Sequence, residues 1–352
     1  MELLVARDDL RNSRFVDAPA PEPGPGAVRF RIEQFALTAN NITYAVFGDM
    51  MGYWQFFPTE AGWGRIPVWG FARIDASKIE GLEVGERVYG YFPMASHLVV
   101  TPDRVGPGGF VDAAPHRAAL PSVYNHYVRL GHEAGGPDDA YEALLRPLFT
   151  TSFLIDDWLD EQGFFGATQV VIGSASSKTA LGLAQVLSAR RDCRVIGLTS
   201  PANAGFVEGV GYYDAVVPYG GLDGESRDVP TVFVDMAGDG AISAEVHRHY
   251  GEHLAHSCRV GATHWEEIAM DAELPGPAPV MFFAPDQVER RRADWGPGGV
   301  EERVGAAIVE FIESARGWLK ITEGRGEQAV GAAYLDVLEG RARPDEGIIL
   351  SL

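Results

Sequence analysis

The sequence predicts an α/β protein in two parts, a β-rich domain followed by a doubly wound parallel sheet with helices on both faces. Three observations carry this. With 352 residues, the chain is longer than one ordinary core holds together. Residues 2–120 read as short strands and turns. Beyond them, apolar runs at Gln169–Ile172, 194–198, 215–217, Thr231–Asp235 and 258–262 alternate with helical stretches, the pattern that buries a parallel sheet between layers of helix.

Taken in order, PAPEPGPG at 19–26 is a proline and glycine turn, and 27–36 then alternates apolar with polar residues as a half-buried strand does. VGERVYGY at 84–91 suits a hairpin or barrel corner, and 97–101 is another short strand. From 113 to 165 the pattern is helical, with Tyr124, Tyr127 and Leu130 and later Leu144, Leu145 and Leu148 at helical spacings, broken once by Gly135, Gly136 and Pro137. The stretch 168–200 joins a strand, a tight turn of small residues, an amphipathic helix and a second strand. After Pro275 come a strand at 280–284, two helical stretches, a short apolar run at 318–321, a helix over 327–338 and a last strand at 347–350. The expected division is 1–148 for the β-rich domain, 149–279 for the parallel sheet, and 280–352 for a mixed segment that returns to the first domain. There is no internal repeat.

Composition narrows the function. A net charge of −20 with no basic tract disfavours nucleic acid, whose phosphates need clustered Lys and Arg. Cys193 and Cys258 are the only cysteines, too few for a disulfide framework or a four-cysteine zinc lobe, which points to a reducing compartment. The first residues show no long apolar run, so the expectation is a cytoplasmic protein with no membrane partner.

The turn in 168–200 stands where a dinucleotide-binding fingerprint places glycines, and offers Ser174, Ala175, Ser176, Ser177, Lys178 and Thr179 instead. Serine and alanine are the next-smallest residues, and the hydroxyls of Ser176, Ser177 and Thr179 can donate to a phosphate or cap the helix. Lys178 adds a cation. The bland reading, a capping serine and a solvated lysine, stays open. So does a shortened nucleoside-triphosphate loop with Asp235 as magnesium partner, although the loop is one residue short and lacks the glycine before its lysine. The second strand ends in Thr199, Ser200, Pro201, Ala202 and Asn203 with no acid to accept from a ribose hydroxyl, which favours NADP over NAD, with Lys178 and Ser200 at its 2′-phosphate. His249, His253 and His256 would share a helix face, either as metal ligands or as a solvated surface. Tyr53, Trp54, Phe56, Phe57 and Trp63 form an aromatic loop that reads as a lid or substrate wall, or else as packing or a subunit contact.

Four passages, 23–41, GLEVGERVY at 81–89, 205–219 and VFVDMAG at 232–238, resemble in order the medium-chain dehydrogenase/reductase superfamily, most closely its zinc-free quinone-oxidoreductase-like branch. The resemblance implies a GroES-like β-rich domain, a Rossmann-type sheet and a cleft between them. It places Tyr219 and the loop containing Ala237 beside the cofactor. It puts Asn40, Asn41 and Tyr44 in a loop facing the nicotinamide, with Tyr44 as donor to a substrate carbonyl and one of the asparagines holding its geometry. Tyr124, Asn125, His126 and Thr151 are further candidates for the cleft. Where zinc-dependent members carry a cysteine and a Gly-His-Glu triplet, this chain has the 40–44 loop and Gly70, Phe71, Ala72, so no zinc is expected. The implied reaction is hydride transfer from NADPH to a small apolar conjugated carbonyl, by a homodimer in many relatives. The other reading is a cofactor-independent enzyme or binding protein on the same scaffold.

Overall fold

Alternation of apolar and polar side chains along 28–37 becomes the central strand of the first of two units in the computed structural model. The structure describes residues 1–17, 19–132, 134–190, 193–261 and 274–352. One unit is Met1–Arg146 with Leu319–Leu352, the other Pro147–Trp318. The segment 280–318, expected to close the first domain, therefore belongs to the second unit, and only the last stretch returns.

In the first unit, β1 (Glu2–Ala6) and β2 (Ser13–Val16) pair, and after β3 (Val28–Leu37) and helix α1 (Ala39–Val46) the two-residue β4 (Trp63–Gly64) joins β1. Strands β5 (Pro67–Ser77), β6 (Arg87–Pro93), β7 (His97–Val100), β8 (Pro102–Gly106), β9 (Gly109–Asp112) and β10 (His126–Gly131) follow, then α2 (Asp139–Glu161), within which the division between the units falls. The nine-stranded sheet runs β17-β18-β3-β5-β6-β10-β9-β8, with β7 also on β3, once β17 (Lys320–Arg325) and β18 (Glu346–Ser351) have returned. Its core is aromatic. Phe30 meets Phe92 edge-on at 5.9 Å and Tyr127 at 5.1 Å, all nearly inaccessible, and each such ring contributes about 2–3 kcal/mol by leaving water. Between Ile32 and Gln34 the β3–β5 register slips, and a Cβ on Gly70 would lie 2.1 Å from the Gln34 carbonyl. Only glycine lets the strands meet there. The irregularity leaves Glu33 reaching both Arg73 (2.9 Å) and Arg87 (2.7 Å), and Arg87 also holds Asp139 at 2.6 Å.

Tyr124, Tyr127 and Leu130 are not helical. Tyr124 sits in a single 3₁₀ turn, Ser122–Asn125, and the other two lie on β10, where their spacing alternates faces. The sequence pattern there is too short to separate the two periods. Leu144, Leu145 and Leu148 do lie on a helix, α2, and are buried.

The second unit carries β11 (Gln169–Ile172), α3 (Lys178–Arg190), β12 (Arg194–Thr199), α4 (Ala204–Val210), β13 (Ala215–Pro218), β14 (Thr231–Asp235), α5 (Gly240–Tyr250), β15 (Leu254–Arg259), β16 (Val280–Met281), α6 (Ala284–Trp295) and α7 (Gly299–Ala315). Its six parallel strands stand in the order β13-β12-β11-β14-β15-β16, so the chain winds outward one way from β11 and then the other. That reversal lies between β11 and β14, where open α/β sheets bind ligands beyond their carboxyl ends. The central strands β11 and β14 are buried along their whole length, as strands covered on both faces must be, while the edge strands β13 and β16 are partly exposed. A last helix, α8 (Gly326–Leu338), belongs to the first unit.

Two expected strands move. The run at 258–262 forms its strand earlier, as β15, and Ala262 lies outside the described residues; 280–284 shortens to β16, because Pro285 suits the first turn of α6. Helix α5 stops at Tyr250, so His249, His253 and His256 do not share a helix face: His253 is in a 3₁₀ turn and His256 on β15. Nor is the helix face solvated there. His247 is fully buried, its Nδ1 2.8 Å from the Pro275 carbonyl and its Nε2 2.9 Å from Ser257 Oγ.

Candidate functional site

In the second unit the serine-rich turn connects β11 to α3. Ser174 has φ 51°, a left-handed conformation that glycine adopts freely and serine with strain. Ser177 caps α3, its Oγ accepting from the Ala180 N–H at 3.2 Å, and Lys178 is the first helical residue. Three outer groups fix the turn. Tyr213 donates to the Ala175 carbonyl at 3.0 Å, Asn203 Nδ2 donates to Ser176 Oγ at 3.1 Å, and the hydroxyls of Ser174 and Tyr219 lie 3.4 Å apart. Burial raises the pKa of Tyr219, with the Ser174 contacts opposing it. Ala175 is fully buried. The glycine that this crowding requires has moved to the next strand: a Cβ on Gly197 would come within 2.8 Å of Ala175 and 2.9 Å of Tyr213.

Ser200 is half-buried just past β12, whereas its neighbour Thr199 is 1% exposed and its Oγ1 has no hydrogen-bond partner. An unmatched buried hydroxyl at a strand end is a position for a ligand or an ordered water. The sequence reading named Thr199 and Asn203 only as non-acidic residues at the strand end, and did not name Tyr213. A threonine closing an apolar strand was the one visible signal.

Asp235 does not stand ready for a metal. Its Oδ1 accepts from the N–H groups of Ala237 (3.1 Å) and Gly238 (2.8 Å), and its Oδ2 from Ser243 Oγ at 2.9 Å. It shapes the Met236–Gly238 loop, and burial holds its pKa above the ordinary carboxylate value. Ala237 is a buried part of that loop. Thr151, also in this unit, is half-buried on α2 and donates to the Pro147 carbonyl at 3.4 Å.

In the first unit Asn40, Asn41 and Tyr44 lie on helix α1, not in a loop. Asn41 is structural. Its Oδ1 accepts from the Thr38 N–H at 2.7 Å, its Nδ2 donates to the Pro67 carbonyl at 2.8 Å, and it is buried, so it locks the helix start to β5. Asn40 is half-buried and bonds the Tyr44 hydroxyl. Trp69 Nε1 also donates to that hydroxyl at 3.4 Å, and Tyr124 is a third partner. Burial raises the Tyr44 pKa, and these three hydrogen bonds oppose the rise.

Around Tyr44 stand Tyr53 (ring centroids 4.6 Å), Tyr91 (5.6 Å) and Tyr124 (6.0 Å), with Tyr124 stacked on Tyr91 at 4.7 Å. The hydroxyls of Tyr53 and Tyr124 are 3.3 Å apart, while those of Tyr89 and Tyr91 are buried without partners. The aromatic loop joins this cluster: Tyr53, Trp54, Phe56 and Phe57 are buried, so they pack instead of covering the unit as a lid. Trp63 is half-buried beneath Arg14, 4.1 Å from its ring centre. Asn125 Nδ2 donates to the Arg117 carbonyl, and His126 begins β10. The sequence reading named Tyr44 and Tyr124 but not Tyr91 or Trp69, which come from strands well separated in sequence.

The model of a family of proteins of unknown function (DUF2855) matches residues 35–343, and the chain belongs to that family. No curated protein matches it. Among solved structures, CurA from Vibrio vulnificus in complex with NADPH is 13% identical with a TM-score of 0.67, over 99% of this chain and 98% of the other. The quinone oxidoreductase from Coxiella burnetii is 14% identical with a TM-score of 0.57, over 100% and 98%. The yhdH oxidoreductase from Salmonella enterica in complex with NADP is 14% identical with a TM-score of 0.53, over 97% and 95%. At these identities the likeness shows the fold, a GroES-like unit and a Rossmann-type unit as in medium-chain dehydrogenases/reductases. No helix among the described residues is long and apolar enough to cross a membrane.

Proposed function

We propose that this chain is an NADPH-dependent oxidoreductase that reduces a conjugated carbonyl compound, a quinone, enone or enal, without zinc. The observation that carries the reading is Tyr44: a buried phenol, kept neutral by burial, whose oxygen is met by donors from Trp69, Asn40 and Tyr124. Such a group holds its proton until negative charge develops on a substrate oxygen, and its three partners then stabilise the phenolate left behind. NADPH and NADP occupy CurA and the yhdH oxidoreductase, which share the fold.

The residues of the second unit fit that cofactor. The helix start at Lys178 favours phosphate through its aligned amides, Lys178 adds charge, and Thr199 Oγ1 is a buried hydroxyl still without a partner. Ser174, Ser176, Ser177, Thr179 and Ser200 would line the cradle, and Tyr219 would stand at the 2′-phosphate. When bound, the cofactor supplies the hydride. Tyr44 supplies the proton, and the surrounding rings exclude water and favour a flat, apolar substrate.

Titration with NADPH, followed by its fluorescence, is expected to saturate, and Lys178→Ala to weaken binding about tenfold, the effect of losing one phosphate contact of about 1.4 kcal/mol. A flat titration of the wild-type chain would favour a cofactor-independent protein on this scaffold.

A further inference from the structure

The first unit contains a cavity of about 340 Å³, at the small end of the range of small-molecule sites, about 300–1,000 Å³. Its walls come from distant parts of the chain: the proline turn at 19–21, the end of the aromatic loop at 56–58, strand β7 with the residues before it, and the 3₁₀ turn that ends in Arg117. Phe56, Phe57, Pro58, Pro93, Leu98 and Val99 make much of this lining apolar. Phe56 and Phe57 also pack on Tyr91, at 5.4 and 5.9 Å, yet none of Tyr44, Tyr53, Tyr91 and Tyr124 lines the cavity.

The polar groups of the lining divide by kind. The carboxylate acceptors are taken. Glu2 receives Nε and Nη2 of Arg65 at 2.5 and 2.9 Å, and Arg65 Nη1 donates to the Pro58 carbonyl. Asp112 Oδ1 accepts from the N–H groups of Thr101 (3.0 Å) and Ala114 (3.1 Å), and its Oδ2 lies 3.2 Å from Arg117 Nε, which also donates to the Phe56 carbonyl at 3.2 Å. What remains is a donor. Arg117 is 1% exposed and its Nη1 has no hydrogen-bond partner, although that nitrogen carries two N–H groups. The ring of Phe57, 4.7 Å from the guanidinium carbon, offers no oxygen to accept them. A charged donor left unbonded in the interior is costly, and at the wall of a cavity it marks the place of an acceptor from outside the chain. A single water would satisfy the nitrogen and leave the apolar walls without a partner.

We propose that this cavity binds a small molecule carrying one carboxylate on an apolar body, with the carboxylate on Arg117 and the body against Phe56, Phe57 and Leu98. The inference is independent of the reductase reading. Charge selects among anions. Arg65 is balanced by Glu2 and Arg117 by Asp112, so little is left to offset the double charge of a phosphate, whereas a carboxylate is singly charged and accepts charge-assisted bonds from a guanidinium nitrogen. His97 and His116 also line the cavity, and neither adds a negative charge.

Three acids of this kind, benzoate, cyclohexanecarboxylate and 4-methylpentanoate, are to be titrated into the full chain by calorimetry, beside their primary amides and inorganic phosphate. At least one acid is expected to saturate at millimolar concentration or below, with its amide, which keeps the body and loses the charge, weaker by about tenfold or more, and with phosphate silent. Arg117→Met removes the donor and is expected to weaken the acid to a similar extent. Because that variant also strips buried Asp112 of its cation and puts folding at risk, Ala20→Phe is the second: it fills the cavity from a half-buried loop position and leaves Arg117 with all its partners. Weaker binding of the acid, with a cooperative melt like that of the wild type, is expected there too. Saturation by none of the three acids, an amide as tight as its acid, or phosphate as tight as the acids would overturn the proposal. So would undiminished binding in Ala20→Phe, which would place the acid elsewhere on the chain.

Discussion

At the scale of single residues, two adjacent asparagines have opposite jobs. Asn41 satisfies the amide of Thr38, the residue that caps α1, and a strand carbonyl from inside the core, and Asn40 reaches the Tyr44 oxygen from the half-exposed side of the same helix. Truncating Asn41 leaves the Thr38 N–H and the Pro67 carbonyl without their partner, each a loss of about 1–2 kcal/mol. Asn41→Ala is therefore expected to lower the stability of the protein by about 2–4 kcal/mol in urea unfolding. Asn40→Ala should change it by under about 1 kcal/mol, since water can replace a half-exposed amide. Equal losses in the two variants would contradict this assignment. From the sequence alone the register between the two was ambiguous, because both stand beside the same phenol and only burial separates them.

At the scale of elements, the strands and helices of the second unit were legible wherever an apolar run was bounded by small or polar residues. Thr231–Asp235 and Gln169–Ile172 form as read, and in the first unit the helix expected over 327–338 forms from Gly326. Legibility failed where contacts distant in sequence decide the conformation. Tyr124 and Tyr127 occupy helical spacing yet sit in a turn and a strand, because β6 and β9 pair with β10 on its two sides. The β11–α3 turn shows the same dependence. Its departure from glycine is legible, but its compensation, Gly197 on the neighbouring strand and Tyr213 on the Ala175 carbonyl, is not. Ser174 still bears the backbone cost, about 1 kcal/mol for a non-glycine residue at φ 51°. Ser174→Gly is accordingly expected to raise the melting temperature of the protein by a few degrees while removing the hydroxyl that meets Tyr219. A lower melting temperature would mean that the Ser174–Tyr219 contact outweighs the strain.

At the scale of the whole molecule, charge and buried titratable groups set how stability responds to pH. With 49 acidic and 29 basic residues, net repulsion is large at neutral pH, and salt that shortens the Debye length to about 4 Å should raise the melting temperature at pH 8. Acidification relieves that repulsion but meets an opposing term earlier than the carboxylates. Burial lowers the pKa of His97, His247, His249 and His256, so each binds its proton less readily folded than unfolded. The stability they carry is present above the unfolded value near 6.5 and is lost as pH falls through their lower folded values. Asp156 and Asp235 work the other way. Burial raises both, so the folded state takes up their protons first and regains stability as pH falls toward the unfolded carboxylate value. Glu33 acts lowest of all: burial pushes its pKa up, but the hydrogen bonds from Arg87 and Arg73 outweigh it, and the net fall delays the loss of those ion pairs until more acid pH. Four histidines against two aspartates decide the sign of the first step. The denaturation midpoint is expected to hold level from pH 8 to about 6.5, to decline between about 6.5 and 5, and to drop again below about 4 as Glu33 is protonated. His247→Asn should shrink the first decline and leave the second in place, since it removes the most deeply buried of the four imidazoles. A midpoint that stayed level down to pH 5 would show that relief of repulsion outweighs the buried histidines.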